Sequence, residues 1–150
     1  MGRTSIVWFR RDLRLADHPA LTAALAEADA VVPLFVIDPA IVHGRWPSPN
    51  RVWFMLRSLA ELDEALRARG SALHVRVGRP AEVVPAVAAE AGATDLHVSR
   101  DATPYGRSRD RAVADRFGVA GVRFHAARGV LIHEPEEVAT AAGTPFSVFT

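Results

Sequence analysis

Five short runs of valine, isoleucine, leucine and phenylalanine, each divided from the next by a longer stretch with helical spacing, constrain this chain more than any other feature. The runs fall at residues 5–9, 30–37, 72–77, 95–98 and 121–125, and the helical stretches near 19–28, 49–68, 80–91 and 105–117. Strands alternating with helices are the signature of βαβ units, whose strands lie parallel and are covered on both faces. Crossovers of this kind are right-handed, so the expected fold is α/β: a doubly wound, Rossmann-like parallel five-stranded sheet with helices on both faces. Local punctuation agrees with that layout. Asp17 with Pro19 in the next turn starts the first helix, and Gly70 and Gly92 stop the second and third. In the second helix Val52, Leu56, Leu59, Leu62 and Leu66 fall on one face, which predicts that they enter the core.

A chain of 150 residues, 49% apolar and 23% charged, is one ordinary globular domain. The formal charge of +1 gives no global attraction to nucleic acid or an anionic membrane. There is no cysteine, which removes disulfides, thiolate metal sites and cysteine nucleophiles. No apolar run approaches the roughly 20 residues of a membrane span, so a cytoplasmic chain without a membrane partner is expected. All 18 basic residues are arginine, beside abundant alanine, a bias that points to a GC-rich genome.

Ligands of open parallel sheets bind beyond the carboxyl ends of the strands. Three segments fall there: Arg10, Arg11 and Asp12 after the first strand, Val36 and Asp38 closing the second, and residues 99–109 after the fourth. If Arg10, Arg11, Asp12, Arg14 and Asp17 paired only with one another on the surface, each pair would contribute about 0 to 1 kcal/mol. The loop 39–50 is long, and its Trp46, between Arg45 and Pro47, either covers a flat ligand or anchors the loop. Asp101, at a strand end, either accepts hydrogen bonds from a heterocycle or caps the helix near Pro104. Neither G-x-G-x-x-G after the first strand nor G-x-x-x-x-G-K-[ST] occurs, so dinucleotide and P-loop cradles lack their backbone device. The six histidines are scattered, without zincin spacing, and Ser99 lies outside a G-x-S-x-G elbow.

The string Trp8-Phe9-Arg10-Arg11-Asp12-Leu13-Arg14-Leu15-Ala16-Asp17-His18-Pro19 resembles the opening of the DNA photolyase/cryptochrome family. The likeness continues through residues 34–39, 50–52, 101–107 and 109–110 and ends in 143–150, covering essentially the whole chain. It implies the family's N-terminal α/β domain over 1–133, which holds an antenna chromophore, and over 134–150 the start of a connector toward a C-terminal helical domain outside this chain. That second domain would carry FAD and meet damaged DNA. The antenna would pass excitation to the FAD of a deoxyribodipyrimidine photolyase, a light-driven lyase for cyclobutane pyrimidine dimers, and this chain alone would bind chromophore and repair nothing. Deazaflavin-type members look like this chain at Arg51, Asp101 and Arg109 and at Val36, and they tend to carry Glu where Thr103 stands. Folate-type members carry Asn-Glu where this chain has Tyr105-Gly106. The resemblance therefore implies a chromophore of the 8-hydroxy-5-deazaflavin type, with methenyltetrahydrofolate and FMN as alternatives. Arginines such as Arg51 would favour its anion, and Phe35 or Trp46 would cover the ring. A monomer is expected. The other readings are a cryptochrome-type blue-light photoreceptor, a stand-alone nucleotide- or flavin-binding module, and a remnant without a ligand.

Overall fold

The computed structural model describes residues 2–144; the end of the family-like tail, residues 145–150, lies outside the described residues. The chain runs β1 (Thr4–Phe9), α1 (Pro19–Glu27), β2 (Ala30–Ile37), α2 (Pro39–Val42), α3 (Pro49–Arg67), β3 (His74–Val77), α4 (Pro80–Ala91), β4 (Asp95–Ser99), α5 (Pro104–Ala120) and β5 (Arg123–Ala127), then a 3-10 turn at Pro135–Glu137. Every α-helix opens on a proline, whose fixed φ suits the first turn and whose missing N–H costs nothing there. The five strands are parallel in the order β3-β2-β1-β4-β5. The expected doubly wound sheet is thus present, and the chain reverses its direction of growth at β1.

Alternation along β1 divides the core in two. Ile6 and Trp8 face one layer with Leu34, Leu96, Val98 and the residues Val84, Val87, Val113 and Phe117 of α4 and α5. Val7 and Phe9 face the other with Phe35, Leu21 and Ala24 of α1, and Leu59, Leu62 and Leu66 of α3. Period-two side-chain placement in a strand covered on both faces produces this division.

The buried stripe of α3 differs from the expectation. Leu59, Leu62 and Leu66 are buried and Met55 packs beside them, whereas Leu56 is 49% exposed. Residues 55, 59, 62 and 66 follow one helical ridge, and position 56 lies about 100° away from it. We expect Leu59→Ala to cost about 2 to 3 kcal/mol and Leu56→Ala less than about 0.5 kcal/mol in urea unfolding. Equal losses would show that the helix is rotated from this orientation.

The first helix is capped by His18, not Asp17. Nδ1 of His18 accepts the amide N–H of Leu21 at 3.1 Å, and Asp17 occupies a left-handed turn at φ 49°. The end of α5 also moves a boundary: Gly121, at φ 71°, terminates the helix after Ala120, so β5 begins at Arg123, two residues later than expected. Part of the loop after β2 is the single helical turn α2. Beyond β5, Glu134 and Glu136 pair with Arg100 at 3.2 and 2.7 Å, which ties the 3-10 turn to the end of β4.

Candidate functional site

A cavity of about 380 Å³ opens at the carboxyl ends of β1, β2 and β4. Its size lies within the range of small-molecule sites. Trp8 and Phe9 from β1 and Phe35 and Val36 from β2 give it aromatic and aliphatic walls, extended by Ile41, Met55 and Pro80. Arg10, Arg11, Asp38, Asp101, Thr103, Tyr105 and Arg109 supply the polar groups. Seven of the nine residues singled out from the sequence therefore meet here: Arg10, Arg11, Val36, Asp38, Asp101, Thr103 and Arg109. Trp46 and Arg51 do not. They line a separate recess of about 90 Å³ with Ser48 and Val52, sharing only Ile41 and Met55 with the main cavity. The turn α2 places Ile41 against the cavity and leaves Trp46 73% exposed.

The charges after β1 do not pair among themselves on the surface. The Arg10 guanidinium is almost wholly buried; it donates to the Asp110 carboxylate and to the Ser99 carbonyl. Arg109 donates to Asp110 from Nη2 at 3.0 Å and to Asp101 at 3.3 Å. The guanidinium carbons of Arg10 and Arg109 lie 4.9 and 5.1 Å from the centre of the Trp8 ring, so a buried indole carries two cations that are each held by a carboxylate. Arg11 differs. Its side chain is 60% exposed and, among the described residues, its one carboxylate neighbour, Asp101, is 3.7 Å away.

Asp101 is not the cap of α5. Thr103 is, accepting from the Gly106 amide at 3.1 Å, and Asp101 in turn accepts from the Thr103 amide and hydroxyl at 3.0 and 2.8 Å. Burial pushes the Asp101 carboxyl up, but the two Thr103 bonds and the nearby Arg109 and Arg10 charges hold it below the usual carboxylate range. It is therefore an anion at neutral pH. Gly106 leaves it room: a Cβ there would stand 2.2 Å from the Asp101 Cγ. Tyr105 donates its hydroxyl to Asp38, whose other oxygen accepts the Ala40 amide at 2.9 Å and caps α2. Burial, then the Asp38 carboxylate, pushes the Tyr105 phenol up to about 12, so it stays a neutral donor.

Behind the cavity, His18 Nε2 lies 2.9 Å from the buried Asp12 carboxylate while Nδ1 caps α1. Because Nδ1 accepts the Leu21 amide, a proton on the ring sits on Nε2, close to the Asp12 carboxylate, so the imidazole is committed to the fold through its cap of α1. The cavity combines apolar walls with a polar edge, a shape and polarity that match a planar molecule; among the described residues it assembles no nucleophile with a general base. Trp8, Tyr105, Asp110 and Gly106 were not singled out as site residues from the sequence. The Tyr105–Asp38 and Arg10–Asp110 contacts join residues 67 and 100 positions apart, and only the run of charges around 109–110 hinted at the second.

The family model for DNA photolyase matches residues 5–150. The chain belongs to the DNA photolyase family. It is 38% identical over 148 residues to the deoxyribodipyrimidine photo-lyase of Streptomyces griseus, covering 97% of this chain and 32% of that protein. Cryptochrome-2 of Gallus gallus is 41% identical over 118 residues, 79% of this chain and 20% of that one. Among solved structures, the archaeal photolyase from Sulfolobus tokodaii with two FAD molecules superposes with a TM-score of 0.82 at 36% identity, over 88% of this chain and 31% of that chain. The chain thus spans between about a fifth and a third of the length of these relatives, and it corresponds to their N-terminal α/β domain. No helix among the described residues is long and apolar enough to cross a membrane.

Proposed function

We propose that this domain holds the antenna chromophore of a deoxyribodipyrimidine photolyase, and that the cavity beyond β1, β2 and β4 is its site. The observation that carries the reading is the pairing, at the family's N-terminal domain, of an apolar slot with an ionised Asp101 and a cluster of guanidiniums. The chromophore is a flat tricycle of the deazaflavin or flavin type: Trp8, Phe35 and Met55 contact its faces, Asp101 accepts from ring N–H groups, and Arg11, the least neutralised cation of the cavity, faces its anionic edge. Thr103 and Arg109 position Asp101, and Asp38 positions Tyr105. Arg51 and Trp46 act at most at the rim. Gly106 supports this choice over methenyltetrahydrofolate, since the Glu of folate-type members at that position would occupy the space of the Asp101 carboxylate.

In the whole protein the absorbed energy passes to FAD in a C-terminal domain, which acts on damaged DNA; the α/β domain ends near residue 133 and the connector follows. The residues of this chain bind and orient the antenna and keep water from its faces. A photoreceptor of the cryptochrome type is the second reading, favoured by the 41% identity to Cryptochrome-2, and dimer-repair activity of the full protein separates the two.

Titration of the 150-residue chain with 8-hydroxy-5-deazaflavin, FMN and methenyltetrahydrofolate, followed by absorbance and fluorescence, tests the site. Saturable 1:1 binding of the tricycles in the micromolar range, about −8 kcal/mol, is expected, with folate at least tenfold weaker. Asp101→Ala should weaken tricycle binding about tenfold or more while costing roughly 1 kcal/mol of stability. Gly106→Ala should do the same to affinity from the opposite side, at about 1 to 3 kcal/mol of overpacking. Unaltered affinity in both variants would move the ligand away from this corner.

A further inference from the structure

We propose that the groove beside the chromophore cavity is a phosphate subsite, so that the chromophore taken by this domain carries an anionic phosphate ester on its side chain. The proposal rests on the antenna reading of the neighbouring cavity. The groove, about 410 Å³, runs between the loop after β1 and the outer side of α3. Arg11 lines both spaces and so marks where a tail leaving the ring would pass.

Among the described residues, three arginines, Arg11, Arg14 and Arg69, line the groove with one acidic residue, Glu61. Arg14 donates to the carbonyls of Asp17 and Gly129 at 2.9 and 3.0 Å, and Arg69 to the carbonyl of Ala65 at 2.9 Å. Neither has a carboxylate within ion-pairing distance among the described residues, unlike Arg3, Arg10, Arg100, Arg109 and Arg123. Carbonyl bonds fix a guanidinium in place without neutralising it, so these charges are positioned and available. Arg11 is exposed and held only loosely by Asp101 at 3.7 Å, which lets it turn toward an anion. A guanidinium donates in pairs to phosphate oxygens, and a dianion amid three such groups is better matched than a neutral ribityl hydroxyl.

The test compares riboflavin with FMN, which share a ring and differ in the phosphate. Dissociation constants are read from flavin fluorescence for the wild-type chain, Arg69→Gln and Glu61→Gln, with and without inorganic phosphate. FMN is expected to bind at least tenfold more tightly than riboflavin. Arg69→Gln should reduce that ratio to threefold or less with riboflavin binding unchanged, and Glu61→Gln should raise it about threefold. Inorganic phosphate should compete with FMN and leave riboflavin alone. Equal affinity for the two flavins, or a ratio that neither variant moves, overturns the subsite while the antenna site stands. Riboflavin whose own affinity rises to that of FMN in phosphate-free buffer once inorganic phosphate is added shows a free anion in the groove and overturns the ester. Failure of both flavins to bind overturns the subsite, and failure of 8-hydroxy-5-deazaflavin as well overturns the antenna reading with it.

Discussion

Truncation of Phe117 to alanine is expected to lower the stability of the domain by about 3 to 5 kcal/mol. The ring is 1% exposed and lies on α5 where that helix meets α4 and the sheet, among Ile6, Leu34, Val84, Leu96 and Val113. Strands of a parallel sheet held on both sides cannot close over the space a phenyl leaves, so the loss contains a cavity contribution beyond the lost transfer free energy. For a domain with the usual 5 to 15 kcal/mol of total stability, this is a large fraction. Urea unfolding should show a lower midpoint with an unchanged slope. Val119, two residues on and 92% exposed, supplies the control: Val119→Ala should stay within about 0.5 kcal/mol. A Phe117 variant that loses less than 1 kcal/mol would mean that α5 is not seated on the sheet as described.

The sheet and the positions of its helices were legible because they rest on local patterns. Strands of four to eight residues, helices that open on proline and glycines at helix ends are each written within a few residues of chain. The same holds for the site residues at strand ends: Arg10, Arg11, Val36, Asp38 and Asp101 reach the cavity because β1, β2 and β4 end there. What depends on tertiary approach was not legible. Leu56 matches a helical stripe as well as Met55 does, and only the packing of α3 against Phe9 and Phe35 decides between them. Asp17 is the better cap by residue type, but a left-handed turn at Asp17 and the Asp12 carboxylate behind His18 give the position to the histidine. Trp46 and Arg51 depend on the path of the loop after β2, which the short turn α2 redirects. Asp95 looked like nothing more than the start of a strand.

That aspartate should dominate the acid side of the stability curve. Asp95 is fully buried and accepts from Arg3 Nε and Nη2 at 2.9 and 3.0 Å, from Arg123 Nε and Nη2 at 2.8 and 3.0 Å, and from the Thr94 hydroxyl at 2.7 Å. His125 Nε2 stands 2.7 Å away, so one carboxylate ties the chain before β1 to β4 and β5. The Arg123 bonds, opposed by burial and reinforced by Arg3, Thr94 and His125, hold this carboxyl far below the usual carboxylate range. Asp12 is likewise depressed: burial pushes its carboxyl up, but His18, Ser99 and the Arg10 amide together outweigh that and hold it below the usual carboxylate range. In the unfolded chain both groups return to an ordinary value of about 3.9. Below about pH 5 the unfolded state therefore binds more protons than the native state, and acid favours unfolding. Stability should be near its full value above pH 5 and fall steadily as the pH drops through 4 toward 2. Asp95→Asn should cost about 2 to 3 kcal/mol at pH 7; Arg3 and Arg123 can turn to water, which keeps the loss below that of a wholly buried pair. Because the amide does not titrate, the variant should lose much of the acid slope, and its deficit against the wild type should shrink as the pH falls. Urea midpoints at pH 7, 5, 3 and 2 decide the matter: two parallel curves would show that the Asp95 carboxylate is not the group whose protonation opens the sheet, and a slope surviving in the variant belongs to the other depressed carboxyls, Asp12 and Asp101 among them.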